Sequence, residues 1–149
     1  MLADAQKLID EFVTDARNLL GLNADRSSIA NDTWAAPHQT KDLPSGCGAV
    51  YGRVLKVGKV GPNSNPRFRY QHYAAGSAMS TLAGAIANIP LLWGYIGYPG
   101  RDTDVGKWIK ENTDRYNFYF KDEKLIPLFE VYAKARLGPA FEGSLSSKA

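Results

Sequence analysis

Acidic residues are missing where the chain is most basic. Residues 43–101, 59 in a row, contain no aspartate or glutamate. Acids make up a tenth of the 149 residues, so an even scatter would place roughly six there. The same segment carries Arg53, Lys56, Lys59, Arg67, Arg69 and Arg101. An acid-free, arginine-bearing stretch is the electrostatic footprint of a polyanion partner. Against it stands a plainer reading, a solvated basic face followed by an apolar helix that would carry no acids anyway. Cysteine is nearly absent: Cys47 stands alone, which excludes an internal disulfide and a cysteine metal cluster and fits a reducing compartment. No apolar run reaches the roughly eighteen residues of a membrane span. No signal-peptide pattern opens the chain, so a cytoplasmic protein with no membrane contact is expected. Internal repeats and low-complexity tracts are also lacking.

What is present suits one soluble domain with a proper core. The formal charge is +3 and the composition is 44% hydrophobic and 22% charged, ordinary for a globular protein. Residues 3–20 carry Ala5, Leu8, Ile9, Phe12, Val13, Ala16, Leu19 and Leu20 at helical spacing, with Asp4, Asp10, Glu11 and Asp15 on the other face. This predicts an amphipathic helix that packs on the domain or on a second subunit. Residues 26–47 show little periodicity and are broken by Pro37, Pro44 and Gly46. They read as an arm anchored by Trp34, in which His38 is a surface residue without a role.

The chain is organised around residues 48–73, GAVYGRVLKVGKVGPNSNPRFRYQHY. Ala49-Val50-Tyr51 and Val54-Leu55-Lys56-Val57 flank a Gly52-Arg53 pair and predict a β-hairpin. The glycine-rich run 58–62 is expected to end the second strand. Arg67, Arg69, His72 and Tyr73 then open a helix. Helices are further expected over 81–93, 102–112 and 123–137, and a third strand over the aromatic run 116–120. The fold class is therefore α+β, a small three-stranded antiparallel sheet flanked by helices, with an extra N-terminal helix. The organisation reads as a helix over 1–25, an arm over 26–47, a domain over 48–143 and a disordered tail over 144–149.

The series of residues resembles the GIY-YIG nuclease superfamily. Ala49-Val50-Tyr51 stands at the family's Gly-Ile-Tyr strand and Lys56-Val57-Gly58-Lys59 at its Tyr-Ile-Gly strand. Arg67 and His72 stand nearest the helical arginine and histidine, with Arg69 and Tyr73 as the pair at spacing four. Glu130, mid-helix among apolar residues and followed by Gly138-Pro139, stands at the metal-binding glutamate. Lys56 replaces the second tyrosine, and Glu142 stands where an asparagine often follows the proline. A literal Tyr95-Ile96-Gly97 has no arginine helix after it and reads as a decoy.

The resemblance implies a metal-dependent endonuclease acting on DNA. Its catalytic residues would be Tyr51, Lys56, Arg67, His72 and Glu130. Glu130 would bind one magnesium or manganese ion. Lys59, Arg69, Arg53 and Tyr73 would contact nucleic acid. For Tyr51 to take a proton, nearby cations would have to lower its pKa from near 10. A homodimer would cut both strands, and no small-molecule cofactor beyond the metal is implied. The alternative is a nucleic-acid-binding protein on a degenerate nuclease fold, without catalysis.

Overall fold

The computed structural model of the protein describes residues 2–53, 56–70, 72–74, 82–100 and 102–139, except the side chains of 2–4 and 53. Four antiparallel strands form one sheet in the order β1-β4-β2-β3. They are β1 (Ile29–Trp34), β2 (Gly48–Arg53), β3 (Lys56–Val60) and β4 (Arg115–Phe120). The expected α+β class is found, but the sheet has four strands rather than three. The extra strand, β1, comes from the segment read as an arm. It pairs with β4 along its whole length, from Ile29 opposite Phe120 to Trp34 opposite Arg115.

The hairpin is β2 and β3, in register from Ala49 opposite Val60 to Arg53 opposite Lys56. Gly52 and Arg53 belong to β2, and β3 runs on to Val60 through the glycine-rich residues expected to end it. The helices are α1 (Leu2–Leu20), α2 (Asn65–Tyr70), α3 (Leu82–Asn88), α4 (Trp93–Ile96), α5 (Val105–Asn112) and α6 (Leu125–Leu137). Asp104 caps α5 by accepting from the Lys107 amide at 3.1 Å, which satisfies one orphan donor of its first turn. Gly138, in the left-handed region at φ 56°, closes α6, where a residue without Cβ is favoured. The expected helix over 81–93 is shorter: α3 stops at Asn88, and a 3-10 turn at Pro90–Leu92 leads into α4.

Alternation along the strands gives the sheet two different faces. Ile29, Val50, Val57, Phe118 and Phe120 bury one face against α1 and α6. Phe129 of α6 is fully buried there, its ring 5.0 Å from Phe12 and 4.8 Å from Phe118. The acidic side of α1 is used locally. Arg26 donates to Asp10 at 2.6 Å, Tyr132 donates to Asp15 at 2.9 Å, and Arg136 pairs with Glu11. On the other face Trp34, Ala49, Tyr51, Val60 and Tyr119 pack against Phe68 of α2. A separate cluster around Leu82, Ile86, Tyr98, Trp108 and Ile109 joins α3 to α5, with Tyr73 at its edge. No helix among the described residues is long and apolar enough to cross a membrane.

Candidate functional site

The residues singled out from sequence gather around β3, the edge strand of the sheet, but from both of its faces. Alternation puts Lys56 and Gly58 on the α2 side with Tyr51. It puts Lys59, opposite Val50 in register, on the α6 side. Gly58 is what lets the first group close up. A Cβ there would lie 3.2 Å from His72 Nε2 and 3.4 Å from Tyr51 Cζ, so the two rings lie across the strand with their centroids 4.7 Å apart.

His72 lies beyond the end of α2, since that helix stops at Tyr70, and its carbonyl accepts from the Ala83 amide at 2.9 Å. Burial holds its pKa well below the ordinary value, helped by the charges of Arg115 and Lys56, so the ring is neutral. Tyr51 is 1% exposed. Burial pushes its hydroxyl up to about 12; Arg115 and Arg67 pull the other way, and Glu130 adds to the rise. The lowering that a tyrosine base would need is therefore not what its surroundings produce. Lys56 is buried on the same side.

The charges of Arg67 and Glu130 are both felt at the Tyr51 hydroxyl, but Arg67 and Tyr51 lie on the α2 side of β3 and Glu130 meets Lys59 on its α6 side. Arg67 is exposed on α2. Glu130 is largely buried, with 12% of its side chain exposed, and both its oxygens are taken. Lys59 lies 3.0 Å from one and Lys134 3.1 Å from the other. An acid in an apolar stretch is costly unless paired, and two ammonium groups are how this chain pairs it. Arg69 donates to Asp42 at 3.2 Å, which leaves it less available to a polyanion. Arg53 ends β2, its side chain outside the described residues. Glu142 and the tail also lie outside them. Tyr95 of the decoy triplet is 84% exposed on α4.

Sequence reasoning missed two residues at the heart of this region. Arg115, 2% exposed, centres its guanidinium 4.1 Å from the Tyr51 ring, 4.2 Å from Trp34 and 4.4 Å from Phe68. Its Nε donates to Asn117 Oδ1 at 2.8 Å, and Asn117 in turn donates to Asp32 at 2.8 Å. Asp32 also accepts from the Tyr119 hydroxyl at 2.9 Å, and burial together with this carboxylate raises the Tyr119 pKa.

His38 is the second, buried rather than on the surface. Its Nδ1 lies 2.8 Å from the Thr113 carbonyl and its Nε2 2.6 Å from the Tyr73 hydroxyl. A carbonyl only accepts, so Nδ1 carries the proton. Burial lowers the ring's pKa, so Nε2 is bare and accepts from Tyr73. The Tyr73 oxygen then faces Arg115 Nη1 at 3.5 Å. Tyr73, expected at a nucleic-acid surface, is instead 9% exposed inside this chain of contacts.

A metal has a narrow place here. Among the described residues no three His, Cys, Asp or Glu side chains cluster to hold one. Glu130 alone fits a hard cation that keeps most of its water, since such an ion needs only one or two carboxylate oxygens. That fit requires Lys59, with 47% of its side chain exposed, to turn away. No family model, curated protein or solved structure matches the chain.

Proposed function

We propose that the chain is a metal-dependent endonuclease that hydrolyses DNA phosphodiester bonds at the β3 edge. The observation that carries the reading is that β3, an edge strand, has Tyr51 and the exposed Arg67 on its α2 side and the Lys59–Glu130 pair on its α6 side. Arg67 holds a phosphate oxygen pair through its planar fork. Lys59 leaves Glu130 for the same phosphate, which frees one carboxylate oxygen. A magnesium or manganese ion held there would stabilise the departing oxygen.

Tyr51, protonated throughout the physiological range, acts as a hydrogen-bond donor to the phosphate or the attacking water rather than as a base. Neutral His72, beside its ring, fixes its position, and buried Lys56 supplies positive potential in place of a second tyrosine. The pH profile separates these roles for Tyr51. As a donor it leaves the cleavage rate flat between about pH 7 and 9, and Tyr51→Phe lowers the rate without changing that profile. A rate that climbs about tenfold per pH unit toward 12, and loses that climb in Tyr51→Phe, would make it the base.

The second reading is a nucleic-acid-binding protein without catalysis. It is favoured by the two lysines that already neutralise Glu130 and by the raised pKa of Tyr51. Purified protein incubated with supercoiled plasmid and single-stranded DNA, in magnesium, manganese or chelator, separates the two. Metal-dependent nicking supports the enzyme, and binding without cutting under every condition supports the second reading. Both readings use Lys59. Lys59→Ala should weaken DNA binding and flatten its salt dependence by about one unit of log–log slope. An unchanged slope would take Lys59 out of the interface.

A further inference from the structure

We propose that the cavity beside Arg115 is a binding site for one small monovalent anion, a halide of chloride size. The inference does not rest on the nuclease reading. A guanidinium keeps its charge at any pH the fold survives, and here it is buried. Among the described residues no carboxylate lies within ion-pair distance of it. Three aromatic rings cover its faces, and such contacts offset part of the lost hydration. They also leave only its edge for hydrogen bonds, because the N–H groups of a guanidinium lie in its plane. Along that edge Nε donates to Asn117 and Nη1 has a long contact to Tyr73, while Nη2 has no acceptor among the described residues. A buried donor on a full charge without a partner costs more than any neutral one.

Beside it lies a cavity of about 10 Å³, lined by Arg115, His72, Thr113, Asp114, Gly52 and Leu82 among others. That is about the space of a single small guest, which suits a monatomic anion better than the bulkier phosphate or sulfate. Asp114 is the acid of this lining. Its carboxylate accepts from the Ala36 amide at 2.7 Å, and it repels a guest of charge −2 more than one of charge −1. Neutral His72 and His38 contribute no further charge. A single halide would give Nη2 its acceptor and cancel the guanidinium's charge.

The test uses the full chain in bromide or chloride against gluconate, at constant total ionic strength. The melting temperature should climb by a few degrees over about a hundredfold rise in halide, as for any ligand that binds only the folded state. Crystals grown in bromide should show an anomalous peak in hydrogen-bond contact with Arg115 Nη2. Arg115→Met, similar in length and uncharged, should lose the halide response. Equal melting in halide and gluconate, with water or no density at Nη2, overturns the proposal. So does a folded Arg115→Met variant that responds to halide as the parent does. If that variant fails to fold, the bromide crystal of the parent decides alone.

Discussion

Glu130→Gln should abolish metal-dependent nicking of plasmid and, at the same time, tighten DNA binding. The first effect follows from the proposed site. The amide keeps the shape of the side chain but removes the charge that would hold the cation, and a lost metal-held charge at a phosphoryl centre costs on the order of a hundredfold or more in rate. The second effect follows from the ion pairs. Glu130 holds Lys59 at 3.0 Å and Lys134 at 3.1 Å. Glutamine releases both ammonium groups, and each one that finds a phosphate steepens the log–log salt slope by about 0.9. Nicking assays and salt titrations on the same preparation check both arms. Nicking that survives the substitution removes Glu130 as the metal ligand. Cutting and binding lost together would mean that the glutamate holds α6 in place.

The pairing of this acid is half legible in the sequence. Glu130 sits mid-helix among apolar residues, and Lys134 follows at spacing four, where side chains on one helix face meet. Lys59 is not legible as its other partner, because that contact depends on which face of β3 it occupies. The strand was expected to break at Gly58. There the glycine is needed for the close approach of Tyr51 and His72, not for a turn, and the two uses look alike in sequence.

The hairpin, the aromatic strand and the last helix were readable because each has its own periodicity. β1 was not, since Asn31-Asp32-Thr33 reads as loop. Those polar residues belong to a strand because Asp32 satisfies Asn117 and the Tyr119 hydroxyl on the next strand. A polar residue whose partner lies 85 positions away leaves no local signal. Arg115 was hidden in the same way. The one available hint was the alternation Arg115, Asn117, Tyr119 against Tyr116, Phe118, Phe120, which sets polar groups on one face of β4 and apolar rings on the other. The basic segment likewise looked more open than it is. Of its described cations Lys56 is buried and Arg69 is tied to Asp42, so among the described side chains Arg67 and Lys59 carry most of what it can offer a polyanion.

Phe129→Ala should be among the most destabilising single changes in the chain, by about 3–5 kcal/mol. The ring is fully buried and meets Phe12 at 5.0 Å, Phe118 at 4.8 Å and Phe120 at 5.3 Å. It therefore joins α6 to α1 and to the sheet at once, and neighbouring rings held edge-on by separate elements cannot readily collapse into the space it leaves. Domains of this size hold about 5–15 kcal/mol in total, so the loss is about a fifth of the stability or more. It should appear as a lower urea midpoint at unchanged slope. Val131, two residues on and 68% exposed, is the matched control; Val131→Ala should stay within about 0.5 kcal/mol. The site depends on the same contact, since Phe129 precedes Glu130 and fixes the turn of α6 that carries it to Lys59. A Phe129→Ala variant that is folded under assay conditions should therefore release Lys59 in the same way and steepen the salt slope by itself, so that Glu130→Gln adds less on that background than it does alone. A cost below about 1.5 kcal/mol would mean that α6 is held to the sheet by something other than this cluster.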